Sequence, residues 1–136
     1  MKRVVLAMGL LALLAGCEGS PDDLARREDL STATTLELCF ASGIRPASSA
    51  ERARLLDEVR RRGEITQRER DTALQRRVFI GMSQTGAQCS WGLPYSINRT
   101  TFSFGVHEQW VYVSGPYNIP SSFLYFEDGR LTAIQN

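Results

Sequence analysis

Hydrophobic positions change their spacing three times along the chain, and each change marks a different kind of structure. Val4 through Leu14 is an unbroken apolar run behind Lys2 and Arg3. Between residues 33 and 77 apolar positions are sparse and recur at helical spacing among charges. Thr34-Thr35-Leu36-Glu37 is a capping-box pattern, in which threonine and glutamate satisfy each other's backbone donors. It opens a helix that places Leu36, Cys39 and Phe40 on one face. Gly43 suits a left-handed stop, Ile44 can fold back onto the last turn, and Pro46 bars continuation. Ser48-Ser49-Ala50-Glu51 repeats the box, and Leu55, Leu56 and Val59 form a narrow stripe ended by Gly63. Thr66-Gln67-Arg68-Glu69 opens a third helix with Ala73 and Leu74 inward.

After Val78-Phe79-Ile80-Gly81-Met82 the texture changes again. Ser83 caps a short helix through Trp91; Gly92 stops it and Pro94 blocks extension. Beyond it aromatic, threonine and valine residues alternate with Gly/Pro punctuation, which is strand patterning. Strands are expected over Ser96–Phe104, Glu108–Ser114, Phe123–Glu127 and Arg130–Ile134. The expected connections are a turn at Gly105-Val106-His107, a longer loop at Gly115–Ser121 and a tight hairpin at Asp128-Gly129. Trp110 and Tyr112 fall on one face of the second strand and Val111 and Val113 on the other, so both faces are at least partly covered. The expected class is α+β: N-terminal helices, then a short helix leading into a small antiparallel β-sheet.

The opening run acquires a meaning from what flanks it. A basic start, an apolar core shorter than the about 20 residues of a membrane span, and small Ala15-Gly16 describe an export signal. Leu14-Ala15-Gly16-Cys17 resembles the lipobox of bacterial lipoproteins. That resemblance implies a signal peptide over 1–16, a diacylglyceryl group on Cys17, and a tether over 17–32. Glu18 in place of aspartate leans towards the periplasmic face of the outer membrane. Without Lys2 and Arg3 the basic residues fall from 16 to 14 against 15 acids, a formal charge near −1. Such a balance offers no basic excess for phosphate backbones, so nucleic acid is not an expected partner. In an oxidising compartment Cys39 and Cys89 are an even pair, and a disulfide would stabilise by about 4 kcal/mol in the chain-entropy model. The alternative is two separately buried thiols. Arg60-Arg61-Arg62 reads as a solvated helix end rather than a headgroup patch, since three charges fall short of a polybasic cluster.

Four pieces in order carry a second resemblance: Ile80-Gly81-Met82-Ser83, Trp91-Gly92-Leu93-Pro94, Glu108-Gln109-Trp110-Val111-Tyr112 and Leu124-Tyr125-Phe126-Glu127-Asp128-Gly129-Arg130-Leu131. Together, over 78–136, they resemble the outer-membrane lipoprotein domain of the SmpA/OmlA (BamE-like) family. That likeness implies two helices on a three-stranded antiparallel sheet, a shape shared with secreted inhibitors of β-lactamase. It also implies structural roles for Gly81, Met82, Trp91, Gly92, Pro94, Trp110, Tyr112, Phe126 and Gly129. The helical annex over 33–77 and the cysteine in the helix after Gly-Met-Ser depart from the barrel-machine member of the family. Leu55-Leu56 followed by Arg62-Gly63-Glu64-Ile65-Thr66 is also similar to a short helical hairpin of bacterial tails and linkers, which implies at most an oligomerisation or docking element.

Candidate chemistry is thin. His107 is the only histidine, in an expected turn, which gives a metal too few ligands; no metal or cofactor is expected. Cys39 or Cys89 with His107 could mimic a thiol nucleophile, but the export signal favours the disulfide. Ser103 and Ser114 lack a strand–turn–helix elbow. Glu108 can pair with an arginine such as Arg99 across two strands. Tyr95, Tyr117 and Phe123 near loops are the candidates for partner contact. The expectation is a non-enzymatic lipoprotein, anchored to the membrane by its lipid, that docks onto another envelope protein. The alternative is a periplasmic hydrolase inhibitor with the Gly115–Ser121 loop as its plug.

Overall fold

Every helix whose cap is described starts where the sequence supplies a side-chain acceptor. The structure is a computed structural model, describing residues 20–43 and 48–136. The elements are α1 (Pro21–Arg26), α2 (Thr35–Gly43), α3 (Ser49–Arg61), α4 (Gln67–Leu74) and α5 (Gln84–Trp91), then β1 (Ser96–Phe102), β2 (Gly105–Ser114), β3 (Ile119–Glu127) and β4 (Arg130–Gln135). Ser20 with Asp23, Ser48 with Glu51 and Thr66 with Glu69 form reciprocal capping boxes. Thr34 and Glu37 exchange the same pair of bonds at 2.6 and 3.2 Å. The backbone donors at these caps hold the Glu37 and Glu51 carboxyls below their ordinary range. Ser83 caps α5 by accepting from the Gly86 amide at 3.0 Å. Residues 1–16 and Cys17, with Ile44 and Pro46 at the expected end of α2, lie outside the described residues.

The fold is α+β, with the strands in an antiparallel meander of order β1-β2-β3-β4. Within 78–136 the described residues form one helix and four strands, where the family likeness implies two helices and three strands. β1 is an edge strand, paired with β2 along its whole length.

Two expected turns sit elsewhere. Gly105, Val106 and His107 are not a turn but the first residues of β2, opposite Phe102, Thr101 and Thr100. Ser103 and Phe104 make the turn instead. Gly105 is needed for close approach: a Cβ there would lie 3.0 Å from the Asp128 carboxylate. That carboxylate accepts from the Val106 amide at 2.9 Å. The Gly115–Ser121 loop is also shorter than expected, since β3 already begins at Ile119. A register shift between Tyr112 and Val113 lets the strand run through Pro120, which matches the usual confinement of strand proline to bulges and edges.

Apolar side chains gather in two cores. One, within the helices, holds Leu24, Leu30, Leu38, Cys39, Leu55, Leu56, Val59, Ile65, Ala73 and Cys89. The other joins α5 to the sheet through Met82, Ala87, Trp110, Leu124, Phe126 and Leu131. α5 is therefore a wall shared by both: Cys89 faces the helices while Ala87 and Trp91 face the sheet. Cys39 on α2 and Cys89 on α5 are joined as a disulfide with Cα atoms 4.1 Å apart. Leu36 and Phe40 are not on the inner face with Cys39; they are exposed, and the inner face is Leu38, Cys39, Ala41 and Ser42. α2 is apolar on both sides, so spacing alone does not choose the side that packs on α3 and α5.

Charged side chains stitch the helices together. Arg62 donates to the Ala33 and Leu30 carbonyls at 2.6 and 2.8 Å. Hydrogen bonds from Arg61 and Arg62 hold the Glu58 carboxyl down at about 2. Two members of the Arg60–Arg62 run are thus occupied within the fold. Glu69 is buried and bonds two helix starts at once, accepting from Thr66 N at 2.8 Å and Ser83 N at 2.6 Å. Desolvation pushes its carboxyl up, but the Thr66 and Ser83 hydrogen bonds outweigh that and leave it below the usual value.

Candidate protein-docking surface

The residues of the family-like motifs converge on the interface between α5 and the sheet. Met82, Trp110 and Phe126 are buried together, with the Trp110 and Phe126 ring centres 4.5 Å apart. Gly81 has φ +94° and donates its amide to the Leu131 carbonyl at 2.7 Å, which joins the entry of α5 to β4. Gly92 (φ +82°) ends α5, Pro94 is half-buried behind it, and Gly129 (φ +81°) makes the last hairpin turn. The Trp91 indole meets Tyr112 edge-on at 5.3 Å. Both polar tips find carbonyls: Trp91 donates to Arg76 O at 3.0 Å and Tyr112 to Gly92 O at 3.1 Å. Burial pushes the Tyr112 phenol well above its ordinary value, so it stays a donor.

α5 is shorter than the sheet is wide, and it leaves apolar surface bare. Ile97, Trp110, Leu124 and Ile134 stand in register across all four strands. The inner two are buried while Ile97 and Ile134 at the ends are exposed. At the end of the sheet where α5 stops, Leu93, Tyr95, Tyr117 and Ile119 are exposed, Tyr117 to 84%. Beside them Arg76, Ser90, Trp91, Tyr112, Ser122 and Asn136 line an open concavity of about 320 Å³. At the opposite end Phe102 and Phe104 stack at 5.2 Å, both exposed, with His107 edge-on to Phe102. Exposed apolar groups that cluster in this way are candidates for contact surface.

The other face of the sheet is mixed: Val111, Val113 and Phe123 lie on it, with Val111 buried, beside a polar row. A line of hydrogen bonds crosses it: Asn98 Nδ2 to Gln109 Oε1 at 2.9 Å, Gln109 Nε2 to Tyr125 OH at 3.0 Å, and Tyr125 OH to Gln135 Oε1 at 2.9 Å. Sequence reading did not single out these residues; their only signal is a polar residue at alternate positions of each strand, and register decides that they meet. Of the expected contact residues, Tyr95 and Tyr117 lie at one end of the sheet. Phe123 does not join them: it sits within β3, half-buried, opposite Val111 and Gln135.

Chemistry-bearing groups are dispersed. His107 Nδ1 lies 3.7 Å from Glu127 Oε1, while the two cysteines are bonded to each other between α2 and α5. Glu108 stands 3.5 Å from Arg99, accepts the Trp110 indole N–H at 2.9 Å, and also accepts from Gln84. Among the described residues no group of three or more His, Cys, Asp or Glu side chains is placed to hold a metal ion. No helix among them is long and apolar enough to cross a membrane. Set against protein-family models, curated proteins and solved structures, the chain matches none of them.

Proposed function

We propose that this is a lipid-anchored envelope protein with a SmpA/OmlA-like domain, which acts without catalysis by docking onto another envelope protein at the periplasmic face of the outer membrane. The observation that carries the reading is the bare apolar rim where α5 ends, with Tyr117 84% and Tyr95 64% exposed beside the Trp91–Tyr112 concavity. Aromatic side chains in water at the edge of a well-packed core suit partner contact. The Leu14-Ala15-Gly16-Cys17 sequence supplies the anchor, and the Cys39–Cys89 bond fits an oxidising compartment. Two acyl signals already give stable anchoring.

The test starts with the anchor. A clickable palmitate should label the protein, and Cys17→Ser should abolish the label and release the protein from the outer-membrane fraction. Labelling that survives the substitution would place the anchor elsewhere.

A second reading has one observation in its favour. Tyr117 tops a short turn between β2 and β3, a shape suited to plugging the active site of a secreted hydrolase. Affinity capture from envelope extracts separates the two. Recovery of membrane-assembly components supports docking, whereas recovery dominated by a soluble hydrolase supports inhibition.

A further inference from the structure

The two edges of the sheet are treated differently. β4 is partly sealed, because Leu131 exchanges backbone hydrogen bonds with Gly81 and Met82 at 2.7 and 2.9 Å. Nothing among the described residues pairs with the outer edge of β1. That strand is seven residues long, exposed throughout, and no bulge interrupts its pairing with β2. It contains no proline and no lysine, and its single charge, Arg99, leans back towards Glu108 at 3.5 Å. A long edge without these guards is a template for another strand.

We infer that the β1 edge pairs with the β1 edge of a second copy of this chain, antiparallel and centred on Asn98, to form a closed two-fold dimer. The residue order selects both the occupant and the register. About Asn98, its amide meets its own counterpart, each able to donate and accept. Its Nδ2 already serves Gln109, and its carbonyl oxygen has no partner among the described residues. Ser96 then faces Thr100 of the other copy, a hydroxyl pair on the face turned away from α5. Ile97, 47% exposed at the end of the Ile97–Trp110–Leu124–Ile134 row, faces the other copy's Arg99, whose aliphatic stem covers it while the guanidinium stays in water. Centring on Arg99 would oppose two guanidiniums, and centring on Thr100 would set Asn98 against Phe102. β4 is sealed only at its start, by Gly81, Met82 and Ser83, so β1 is the longer open edge, and pairing of β1 with β1 about a two-fold axis uses up that edge in both copies and closes at two.

The test uses the full-length chain in detergent, with micelles in excess over protein. Sedimentation equilibrium should give a mass that rises with concentration to twice the monomer. Asn98→Cys should oxidise to a self-linked dimer, because that residue meets itself, whereas Thr132→Cys on β4 should not. Asn98→Lys sets two ammonium groups opposite each other and should return the chain to monomer, with a melting midpoint equal to the parent's at concentrations too low for dimer, since Asn98 is exposed. A monomeric mass at every concentration overturns the inference. So do equal yields from Asn98→Cys and Thr132→Cys, or an Asn98→Lys chain that still doubles.

Discussion

The helical layer and the sheet solve the problem of burying apolar surface in opposite ways. In α1–α4 much is settled locally: reciprocal caps start the helices, Arg62 ties the Leu30–Ala33 segment to α3, and Leu38, Leu55, Leu56 and Val59 are fully enclosed. The sheet depends on one short helix for its cover, and its apolar rows run out past that helix into water. Both regions thus have an enclosed core, and most of the exposed large apolar side chains lie on or beside the sheet, with Leu36 and Phe40 on α2 the exceptions in the helical layer. α5 belongs to both regions, held to the helices by Cys39–Cys89 and to the sheet by Met82, Ala87 and Trp91.

Substitutions can break this contrast at several strengths. Trp110→Ala removes the largest enclosed side chain of the sheet core and should cost about 3–5 kcal/mol, read as a lowered midpoint in urea. If the two cores are coupled through α5, the helical signal should fall in the same transition. Replacing both Cys39 and Cys89 by serine should cost about 2–5 kcal/mol and should loosen the joint between the regions, seen as faster amide exchange in α5 than in α3. Glu69→Gln leaves one of the two amides it serves facing an NH2 donor and the other with only a neutral acceptor, and should cost about 1–3 kcal/mol. Glu69 and Glu58 are both held below the ordinary 4.5. Their stabilisation is therefore complete above that pH and drains away as pH falls towards the folded values. Acid unfolding of Glu69→Gln should accordingly be shallower below about pH 4.5. The smallest effect on stability is expected at the rim, where Tyr95→Ala and Tyr117→Ala should each lie within about 0.5 kcal/mol of the parent yet weaken partner capture.

How much of this was legible in the sequence follows the same division. The capping boxes at Ser48–Glu51 and Thr66–Glu69 are local signals and occur where the residues indicate. Asp128-Gly129 is likewise a turn by its own chemistry. Gly105 misleads because its neighbour in space is Asp128, a residue brought in by β3–β4 and invisible to local reading. Leu36 and Phe40 mislead because α2 is apolar on both sides, and only its packing against α3 and α5 decides which side is inner. At the candidate surface, Tyr95 and Tyr117 are recognisable as aromatics beside turns, whereas the Asn98–Gln109–Tyr125–Gln135 line depends on the register of three strand pairs.

The most direct test of the docking account is photo-crosslinking in intact cells from single positions on the two faces of the sheet. A photoreactive residue at Tyr117 or Tyr95 should trap the same membrane-embedded envelope protein, identified by mass spectrometry, while one at Tyr125 on the face turned away from α5 should not. Adducts with a soluble hydrolase from Tyr117, or equal capture of one protein from Tyr125 and the rim, would contradict the account.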